Sequence, residues 1–476
     1  MTEQFDILTI LNTHYPFSFD KVEFMRDGGS VSYTAYTGER KYFLRVTKPA
    51  LYEIASRSLD VHIFLQNQNF SVPTVIYTDD GFPYVQVSHS DGEHLIILYN
   101  FIEGTEVNLE EDAGAVGALI GKFHSIMKGY PGALLKRDKQ YYVDTYLKQM
   151  RQKQYGRVDE FAEYGCAVWE RVKELPRGYC HGDLYSGNIH KTTDGRLYVL
   201  DFDTSCEGFP MYDPALICDT TDFFKLKDGD AIVCKHIYER FLPEYLQYSH
   251  LTKQEINAFY DMIALYHFAL QAAILDIFGL DCVDNAFLDR QLDWLYEWRA
   301  QCAQSEPILE LKTADLVLKT VTTGDVAEVA RMWRYPEGRI SLTDALKAIH
   351  GMRSNHHQNR QEHIDHLCLA VFEQDSDTII GWCGLDGKSA AGLSIFYSID
   401  ADYRNRGYAT QCAERLLSYA FHEVNVPFIN GGCDKDNIAS YQVLKKIGMR
   451  QTGVTDNGDP VFCIDRERYC GSPNAR

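Results

Sequence analysis

Hydrophobic and polar positions in the first hundred residues follow the period of β-strands, interrupted by one helix. Residues 31–36 and 41–46 are rich in β-branched and aromatic side chains, and the short glycine-containing turn between them predicts a hairpin. Residues 51–68 carry apolar side chains at helical spacing, and 94–102 form a continuous apolar run typical of a buried strand. The pattern predicts an antiparallel sheet with one helix.

The next part of the chain is patterned as helices. Residues 113–127 have apolar side chains at helical spacing, and 228–302 keep that spacing almost throughout. A polar stretch ending in proline, 303–307, interrupts the pattern, so we predict a boundary there and domains at 1–305 and 315–476.

Beyond the boundary, strands and helices alternate, which predicts a separate α/β domain with a mixed sheet. The predicted strands are 316–321, 367–373, 378–385, 393–399 and 428–433, and the predicted helices are 326–333, 342–352, 409–423 and 438–447.

The net charge of −20 over 476 residues is unevenly distributed. Residues 1–314 hold 29 Lys+Arg and 46 Asp+Glu, a net of −17, and the remainder holds 18 and 21, a net of −3. An acidic first part argues against nucleic acid as a partner and favours cationic ligands, although acidity also simply promotes solubility. Thirteen cysteines without a C-x-x-C pair indicate a reducing compartment.

Neither the N-terminus nor the most apolar stretch indicates a membrane. The first residues lack the basic start and apolar core of a signal peptide. Polar residues interrupt the apolar segment 262–280, which predicts a buried core helix. We therefore expect a cytoplasmic protein without a membrane partner.

The sharpest motif is HGDLYSGN at 181–188, followed by LDFD at 200–203. Phosphoryl transfer needs a carboxylate to accept the proton of the attacking hydroxyl, and hard oxygen ligands for Mg²⁺. Asp183, Asn188 and Asp201 provide these groups in the order and spacing that kinases use.

These residues resemble the aminoglycoside phosphotransferase and choline kinase superfamily, whose hallmark is HGDxxxxN followed by an Asp. The resemblance implies an α+β bilobal protein-kinase-like fold, Asp183 as catalytic base, Asn188 and Asp201 as Mg²⁺ ligands, and ATP or GTP as phosphoryl donor. It also implies a structural role for Asp213. The HGDLYSGN loop also resembles that of the fructosamine kinases, which is the alternative family. The LDFD segment is more similar to the phosphotransferases and choline kinases, so that resemblance is preferred.

Weaker signals in the first hundred residues fit the same resemblance. A Gly-Gly turn could cover phosphates with backbone N–H groups, and an arginine on the following strand stands where kinases carry a phosphate-pairing lysine. The sequence does not decide which acidic residue pairs with that arginine. Glu53 on the following helix is the nearest candidate, but aligning that helix by its apolar face could place Ser58 at the position instead. The residues that resemble the family's nucleotide contacts are Gly28, Gly29, Ser30, Arg45, Asn100 and Ile102.

A second motif, RNRGYA at 404–409, opens a predicted helix directly after a strand and turn. The pyrophosphate of acetyl-CoA needs backbone N–H groups at a helix N-terminus without a bulky side chain in the way. The motif resembles the pyrophosphate loop of the GNAT acetyltransferases, as does the segment 437–449, which is similar to the branch of ribosomal-protein N-acetyltransferases. Implied acetyl-CoA contacts are Ile399, Arg404, Arg406, Gly407, Tyr408, Ala409 and Asn437.

The acetyltransferase resemblance departs from the family at its proton donor. Many GNAT enzymes use a tyrosine in the last helix to protonate the CoA thiolate, and this sequence has Leu444 there. Tyr441 and Ser440 are the candidate substitutes. A group of histidines at 356, 357, 363 and 366 has no standard metal-ligand spacing, so we interpret it as a solvated loop.

Together the motifs predict a bifunctional enzyme that phosphorylates and acetylates small molecules with hydroxyl or amine groups, possible examples being aminoglycoside-like compounds. A known two-headed aminoglycoside-modifying enzyme combines the same two folds in the reverse order. The alternative is one catalytic domain joined to a ligand-binding or regulatory module.

Overall fold

The computed structural model describes residues 6–221, 227, 229–302, 307–335, 338–388 and 392–470. It divides into two compact units, Met1–Ala300 and Gln301–Arg476, and each unit is described by itself. The predicted boundary at 303–306, the predicted domain ends at 1, 305 and 476, and residue 228, where the helical segment was predicted to begin, lie outside the described residues.

The first unit begins with a six-stranded antiparallel sheet and two helices. The predicted hairpin and helix are confirmed, and the apolar strand ends at Asn100, two residues before its predicted end. The elements are α1 (Ile7–His14), β1 (Lys21–Asp27), β2 (Ser30–Thr37), β3 (Arg40–Thr47), α2 (Tyr52–Asn67), β4 (Val75–Ile76), β5 (Val85–His89) and β6 (Gly92–Asn100), with sheet order β1-β2-β3-β6-β4 and β5 paired to β6.

The rest of the first unit is mainly helical, as predicted, with two small three-stranded sheets. These sheets, β11-β10-β7 and β8-β12-β9, hold the loops that carry residues 181–188 and 200–205. The elements are β7 (Gly104–Glu106), α3 (Leu109–Met127), β8 (Leu135–Lys136), α4 (Thr145–Gln152), α5 (Val158–Val172), β9 (Gly178–Cys180), β10 (Ile189–Thr192), β11 (Leu197–Val199), β12 (Cys206–Gly208), α6 (Tyr212–Cys218), α7 (Asp230–Tyr245), α8 (Lys253–Asn257), α9 (Phe259–Phe278) and α10 (Asn285–Gln301).

Helix α9 is the one described helix that is long and apolar enough to cross a membrane. More than half of its most apolar window, 56%, is buried, and the core helices of soluble proteins have the same length and composition. It packs against α4, α5 and α6. The interpretation of this segment as a core helix agrees with that packing.

The second unit is an eight-stranded sheet flanked by helices. Its order is β13-β14-β17-β18-β19-β20-β22-β21, and β19 and β20 form the one parallel pair among the described strands of this sheet. The elements are β13 (Glu310–Lys312), β14 (Leu316–Lys319), α11 (Val326–Met332), β15 (Arg334–Tyr335), β16 (Gly338–Arg339), α12 (Leu342–Gln358), β17 (His366–Glu373), β18 (Gly381–Asp386), β19 (Ser394–Ile399), α13 (Tyr408–Ser418), β20 (Phe428–Gly432), α14 (Ile438–Lys446), β21 (Arg450–Val454), β22 (Pro460–Asp465) and α15 (Arg466–Cys470).

Each helix and strand predicted for the second unit is present, with ends displaced by a few residues. The largest displacements are at α12, which continues six residues past its predicted end to Gln358, and at α13, which ends at Ser418, five residues before its predicted end, where a π-helical segment, Tyr419–Val424, follows. Strands β13, β15, β16, β21 and β22 and helix α15 were not predicted from the sequence.

Glycines allow helices α3 and α7 to approach each other closely in the first unit. A Cβ at Gly117 would lie 2.2 Å from the carbonyl oxygen of Phe241, and one at Gly121 would lie 2.5 Å from that of Tyr245. Both obstacles are backbone atoms, which cannot rotate away as a side chain can. The two helices are therefore held at a distance that only glycine permits.

We expect Gly117→Ala to destabilise the first unit because the added methyl forces α3 and α7 apart, with overpacking of this kind costing about 1–3 kcal/mol. Gly114→Ala is the matched control on the same helix, since its Cβ would meet its nearest atom at an ordinary 3.4 Å. In calorimetry of the full chain, Gly117→Ala should lower one unfolding transition by several degrees. Gly114→Ala should leave it unchanged or raise it through better helix propensity. Equal effects of the two variants would contradict the close-packing argument.

Candidate active sites

Asp183 and Asn188 lie in the loop between β9 and β10, and the side chain of Asn188 is turned towards Asp183. Its Nδ2 donates to the Asp183 carbonyl oxygen at 2.7 Å and lies 3.3 Å from Asp183 Oδ2. Because both contacts use Nδ2, Oδ1 is the Asn188 atom that could bind a cation. Burial raises the pKa of Asp183, and the nearby Asp201 carboxylate raises it further, whereas His181 and the Asn188 hydrogen bond lower it.

Asp201 follows β11, is exposed, and has a left-handed backbone with φ +60°. Non-glycine residues in this region are uncommon and cluster at functional sites, with strain of about 1–3 kcal/mol. Leu200, the residue before Asp201, donates its N–H to the Asn188 carbonyl at 2.9 Å and accepts from His181 Nε2 at 2.9 Å, so Asp201 follows directly on a segment bonded to the Asp183 loop. The structure therefore brings together the predicted base and the two predicted metal ligands.

A buried carboxylate, Asp213 at the start of α6, fixes the backbone of the Asp183 loop. Asp213 accepts hydrogen bonds from the backbone N–H groups of His181 at 2.6 Å and Gly182 at 2.9 Å. His124 on α3 donates to it from Nε2 at 2.9 Å, and the other ring nitrogen accepts from the Tyr245 hydroxyl at 2.7 Å. The expected structural role of Asp213 agrees with these contacts, while His124 was not predicted to join them.

Arg45 on β3 is paired with Asp203, two residues after Asp201. Arg45 Nη1 donates to Asp203 Oδ1 at 2.9 Å, Nη2 contacts Oδ2, and Nε donates to the Ser30 hydroxyl at 2.9 Å. The hydrogen bond to Asp203 and its charge raise the pKa of Arg45 against the opposing effect of burial. The acidic partner is thus Asp203, whereas Glu53 is exposed on α2.

The other predicted nucleotide contacts lie at the ends of strands in the first sheet, some in the β1–β2 turn and some at the end of β6. Gly28 and Gly29 form the β1–β2 turn, where the Gly28 N–H donates to the Ser30 carbonyl at 3.1 Å. The Asn100 N–H donates to the Thr74 carbonyl at 2.9 Å, so it is already used within the protein. Ile102, just past β6, makes no backbone hydrogen bond to another described residue. Its backbone N–H and C=O groups are therefore the better candidates to hydrogen-bond the base of a nucleotide.

In the second unit, the RNRGYA segment forms the turn that opens α13. Gly407 is the N-cap residue with φ +82°, and a Cβ there would meet no atom within 4 Å. Arg404 Nε donates to the Ile399 carbonyl at 3.0 Å. The side chains of Arg406 and Tyr408 both contact Glu373, with the Tyr408 hydroxyl at 2.6 Å. The first N–H groups of α13 face an open approach, which suits an anion.

Strands β19 and β20 separate next to this turn. They pair at Ser394 and Asn430, and no further register pair joins them among the described residues. The gap opens towards Ile399 and the α13 turn, because the strands are parallel and Ile399 lies at the C-terminal end of β19. Ala409 packs against the core beneath this turn. The arrangement leaves room for an extended group beside β19.

Helix α14 begins beside β19 and places two of the three candidate residues in structural contacts. Asn437 is the N-cap, accepting from the Ser440 N–H at 3.1 Å, and the Tyr441 hydroxyl donates to Gln451 at 3.2 Å. The Ser440 carbonyl accepts from the Tyr397 hydroxyl at 3.2 Å, and burial raises the pKa of Tyr397 to about 12. Sequence reasoning missed Tyr397, although strand alternation places it on the face of Ile395 and Ile399.

The four histidines between 356 and 366 do not form a solvated loop, and that interpretation is wrong for three of them. His356 and His357 end helix α12, and burial lowers the pKa of His356 to about 4. His366 begins β17 and lies 3.3 Å from Asp386. Among the described residues, the one group of at least three potential metal ligands that converges lies elsewhere, at His89, Asp91 and His94.

Comparison with known proteins identifies both units. Residues 22–259 match the profile of the phosphotransferase enzyme family, and residues 315–450 match that of the acetyltransferase (GNAT) domain. The chain therefore belongs to the phosphotransferase enzyme family and carries a GNAT acetyltransferase domain after it. Both are families of transferases, so the two predicted classes and the predicted fold are confirmed.

Individual relatives resemble one part of the chain each. Homoserine kinase of Rhizobium meliloti (strain 1021) is 27% identical over 290 residues, which cover 56% of this chain and 81% of that protein. The uncharacterized N-acetyltransferase YnaD of Bacillus subtilis (strain 168) is 44% identical over 59 residues, 12% of this chain and 35% of its own length. The chain thus spans about a third of that relative.

A solved structure, amicoumacin kinase hAmiN in complex with AMP-PNP, Ca²⁺ and Ami, is similar with a TM-score of 0.50 and 19% identity. The similarity covers 63% of this chain and 94% of that one. At this level of identity it shows the fold of the first unit.

We expect Asp183→Asn to raise the melting temperature of the phosphotransferase unit at pH 7. The folded protein holds the Asp183 proton more tightly than the unfolded chain, so stability falls as pH rises between the unfolded pKa and the raised folded one. The neutral amide avoids this loss, and its advantage should disappear as pH falls below about 4. Asp194→Asn is the control, since hydrogen bonding from Thr192 lowers the pKa of Asp194 and its removal should not stabilise. A melting temperature of Asp183→Asn that is unchanged at pH 7 would contradict the prediction.

Proposed function

We propose that the chain is a bifunctional small-molecule-modifying enzyme, with an O-phosphotransferase that uses Mg²⁺ and ATP or GTP and an N-acetyltransferase that uses acetyl-CoA. The observation that carries the first activity is the convergence of Asp183, Asn188 and Asp201 beside Arg45. For the second it is the α13 turn at Gly407 beside the separated strands. We propose domains at 1–305 and 315–476 and a cytoplasmic location.

The residues of the first site suit phosphoryl transfer to a hydroxyl. Asp183 would accept the hydroxyl proton, and its raised pKa favours that transfer near neutral pH. Asn188 Oδ1 and the Asp201 carboxylate are hard oxygen donors of the kind that Mg²⁺ prefers, and the bound ion would neutralise phosphate charge. Arg45, held by Asp203 and Ser30, would direct its remaining guanidinium surface towards phosphate.

Amino compounds with hydroxyl groups are the proposed substrates. The acidic first part of the chain, at net −17 over residues 1–314, favours cationic ligands by steering. A homoserine kinase among the relatives acts on a molecule of this kind, and aminoglycoside-like compounds belong to the same class. The same acidity is unsuited to nucleic acid.

A second candidate function is one catalytic unit joined to a ligand-binding module. It is favoured by Leu444, which lies buried in the core at the position where many GNAT enzymes have a tyrosine.

A substrate panel on the purified full chain decides between the two candidate functions, scored separately for nucleoside diphosphate release and CoA release. Asp183→Asn should reduce only phosphotransfer, by about 10²–10⁴-fold. Release of one product alone, on every substrate tested, would favour the second candidate.

We expect Asp201→Asn to weaken the binding of Mg²⁺-nucleotide. Asparagine tolerates the left-handed backbone at this position and keeps the size of the side chain, so the change removes mainly the charge. We would titrate both proteins with nucleotide in a calorimeter, with and without Mg²⁺. The increase in nucleotide affinity that Mg²⁺ causes should be at least tenfold smaller in the variant than in the wild type. If Mg²⁺ strengthens binding equally in both proteins, Asp201 is not a metal ligand.

We expect Gly407→Asp to weaken acetyl-CoA binding at least tenfold relative to Gly407→Asn, a difference of about 1.4 kcal/mol. Both side chains tolerate φ +82° and have the same size, so the pair isolates the effect of a negative charge facing a pyrophosphate. Nucleotide binding at the first unit should stay unchanged in both variants. Equal acetyl-CoA affinities would show that the pyrophosphate does not lie at this turn.

A further inference from the structure

The hairpin between β5 and β6 carries three potential metal ligands at its tip. His89 pairs with Gly92 across a two-residue turn made by Ser90 and Asp91, and His94 follows on β6. Gly92 has φ +135°, and a Cβ there would lie 2.8 Å from the Cβ of Pro49. The tip therefore rests directly on the segment that follows β3.

Both imidazole rings meet the same carboxylate oxygen. His89 Nδ1 lies 2.7 Å and His94 Nε2 lies 3.0 Å from Asp91 Oδ1, while the Ser90 hydroxyl is 3.3 Å from His89 Nδ1. The two rings therefore converge on one oxygen of this carboxylate. The neighbouring Glu93 does not take part, because Ser88 and Gln86 hold its two oxygens at 2.6 and 2.9 Å.

The His94 ring is oriented by a buried contact on its other side. Its Nδ1 lies 2.7 Å from the Thr47 carbonyl, which can only accept, so Nδ1 carries the proton. In the neutral ring, Nε2 then presents a lone pair towards Asp91. A carboxylate oxygen and a lone pair at 3.0 Å repel unless a proton or a cation lies near both. A histidine whose other nitrogen donates to a backbone carbonyl is the usual arrangement in metal sites.

We propose that His89, Asp91 and His94 bind a divalent transition-metal ion of the Zn²⁺ class. The three ligand atoms lie within 4.8 Å of one another, and tetrahedral ligands at ~2.1 Å from a metal are roughly 3.4 Å apart, so small side-chain rotations complete the site. Two imidazoles and one carboxylate favour Zn²⁺, Ni²⁺ or Cu²⁺ over Mg²⁺ or Ca²⁺. The site is thus chemically distinct from the proposed Mg²⁺ site, which offers oxygen ligands.

The metal ion would join the hairpin tip to β3. His94 is bound to Thr47, the last residue of β3, and Arg45 lies two residues earlier on the same strand. An ion held by His89, Asp91 and His94 would tie the β5–β6 hairpin to the strand that carries the proposed phosphate-binding arginine. We expect its role to be structural, because the three ligands belong to the β5–β6 hairpin, whereas Asp183 and Asn188 lie in the β9–β10 loop and Asp201 follows β11.

The test is a titration of the purified full chain with Zn²⁺ in competition with a chromophoric chelator. The chain has 16 histidines, so variants are needed to locate the binding. His89→Gln and Asp91→Asn remove exposed ligands with little structural disturbance, and His236→Gln, an exposed histidine on α7, is the matched control. We expect one Zn²⁺ per chain, bound at least tenfold more weakly in both ligand variants and unchanged in the control.

Two further measurements keep a folding defect apart from a lost ligand. Co²⁺ in place of Zn²⁺ should give a visible absorption band of low-coordinate geometry in the wild type and the control, and lose it in the ligand variants. Zn²⁺ should raise the melting temperature of the wild type but not of His89→Gln, whose melting temperature without metal should match the wild type. Absence of stoichiometric Zn²⁺ binding, or binding that both ligand variants retain, would overturn the proposal.

Discussion

The phosphotransferase unit depends on one buried carboxylate, that of Asp213, at the start of α6. A buried charge is costly unless it is fully hydrogen-bonded, and here two backbone N–H groups and one imidazole provide those bonds. The N–H groups belong to His181 and Gly182, so satisfying Asp213 also determines where Asp183 lies. Gly182 must be glycine, because its φ is +83° and a Cβ would lie 2.6 Å from the Thr204 carbonyl oxygen. The imidazole of His124 comes from α3, whose position in turn requires the glycine contacts with α7.

Around this fixed loop the site has an excess of negative charge. Asp201 and Asp203 lie near one arginine, Arg45, which reaches Asp203 from the sheet, and the charge of Asp201 also acts on Asp183. Mutual repulsion contributes to the raised pKa of Asp183, and any bound cation would relieve it. An acidic site of this kind suits the Mg²⁺-nucleotide proposed above, whose metal would offset the carboxylates while Arg45 would contact the phosphates. The strained backbone of Asp201 is consistent with a position selected for binding rather than for stability.

The sequence predicted contacts that depend on local spacing and missed those that depend on distant packing. Asp183 and Asn188 belong to one loop, so their spacing alone indicated their proximity. The partner of Arg45 is 158 residues away, and no periodicity indicates such a pair. Strand β21 is exposed along its whole length and lacks an alternating pattern, but the Asn457-Gly458 turn that follows is a hairpin signal that should have predicted β21 and β22.

In the acetyltransferase unit, the packing of α14 limits which hydroxyl groups can serve as proton donors. Leu444 fills the core, and the Tyr441 hydroxyl is directed to Gln451 on β21. The Ser440 carbonyl accepts from Tyr397, which fixes the first turn of α14 against β19, the strand that borders the gap to β20. This packing keeps Tyr397 next to the separated strands, and its hydroxyl, like that of Tyr441, donates to a partner within the protein. With a pKa of about 12, Tyr397 stays protonated at neutral pH, as a proton donor must.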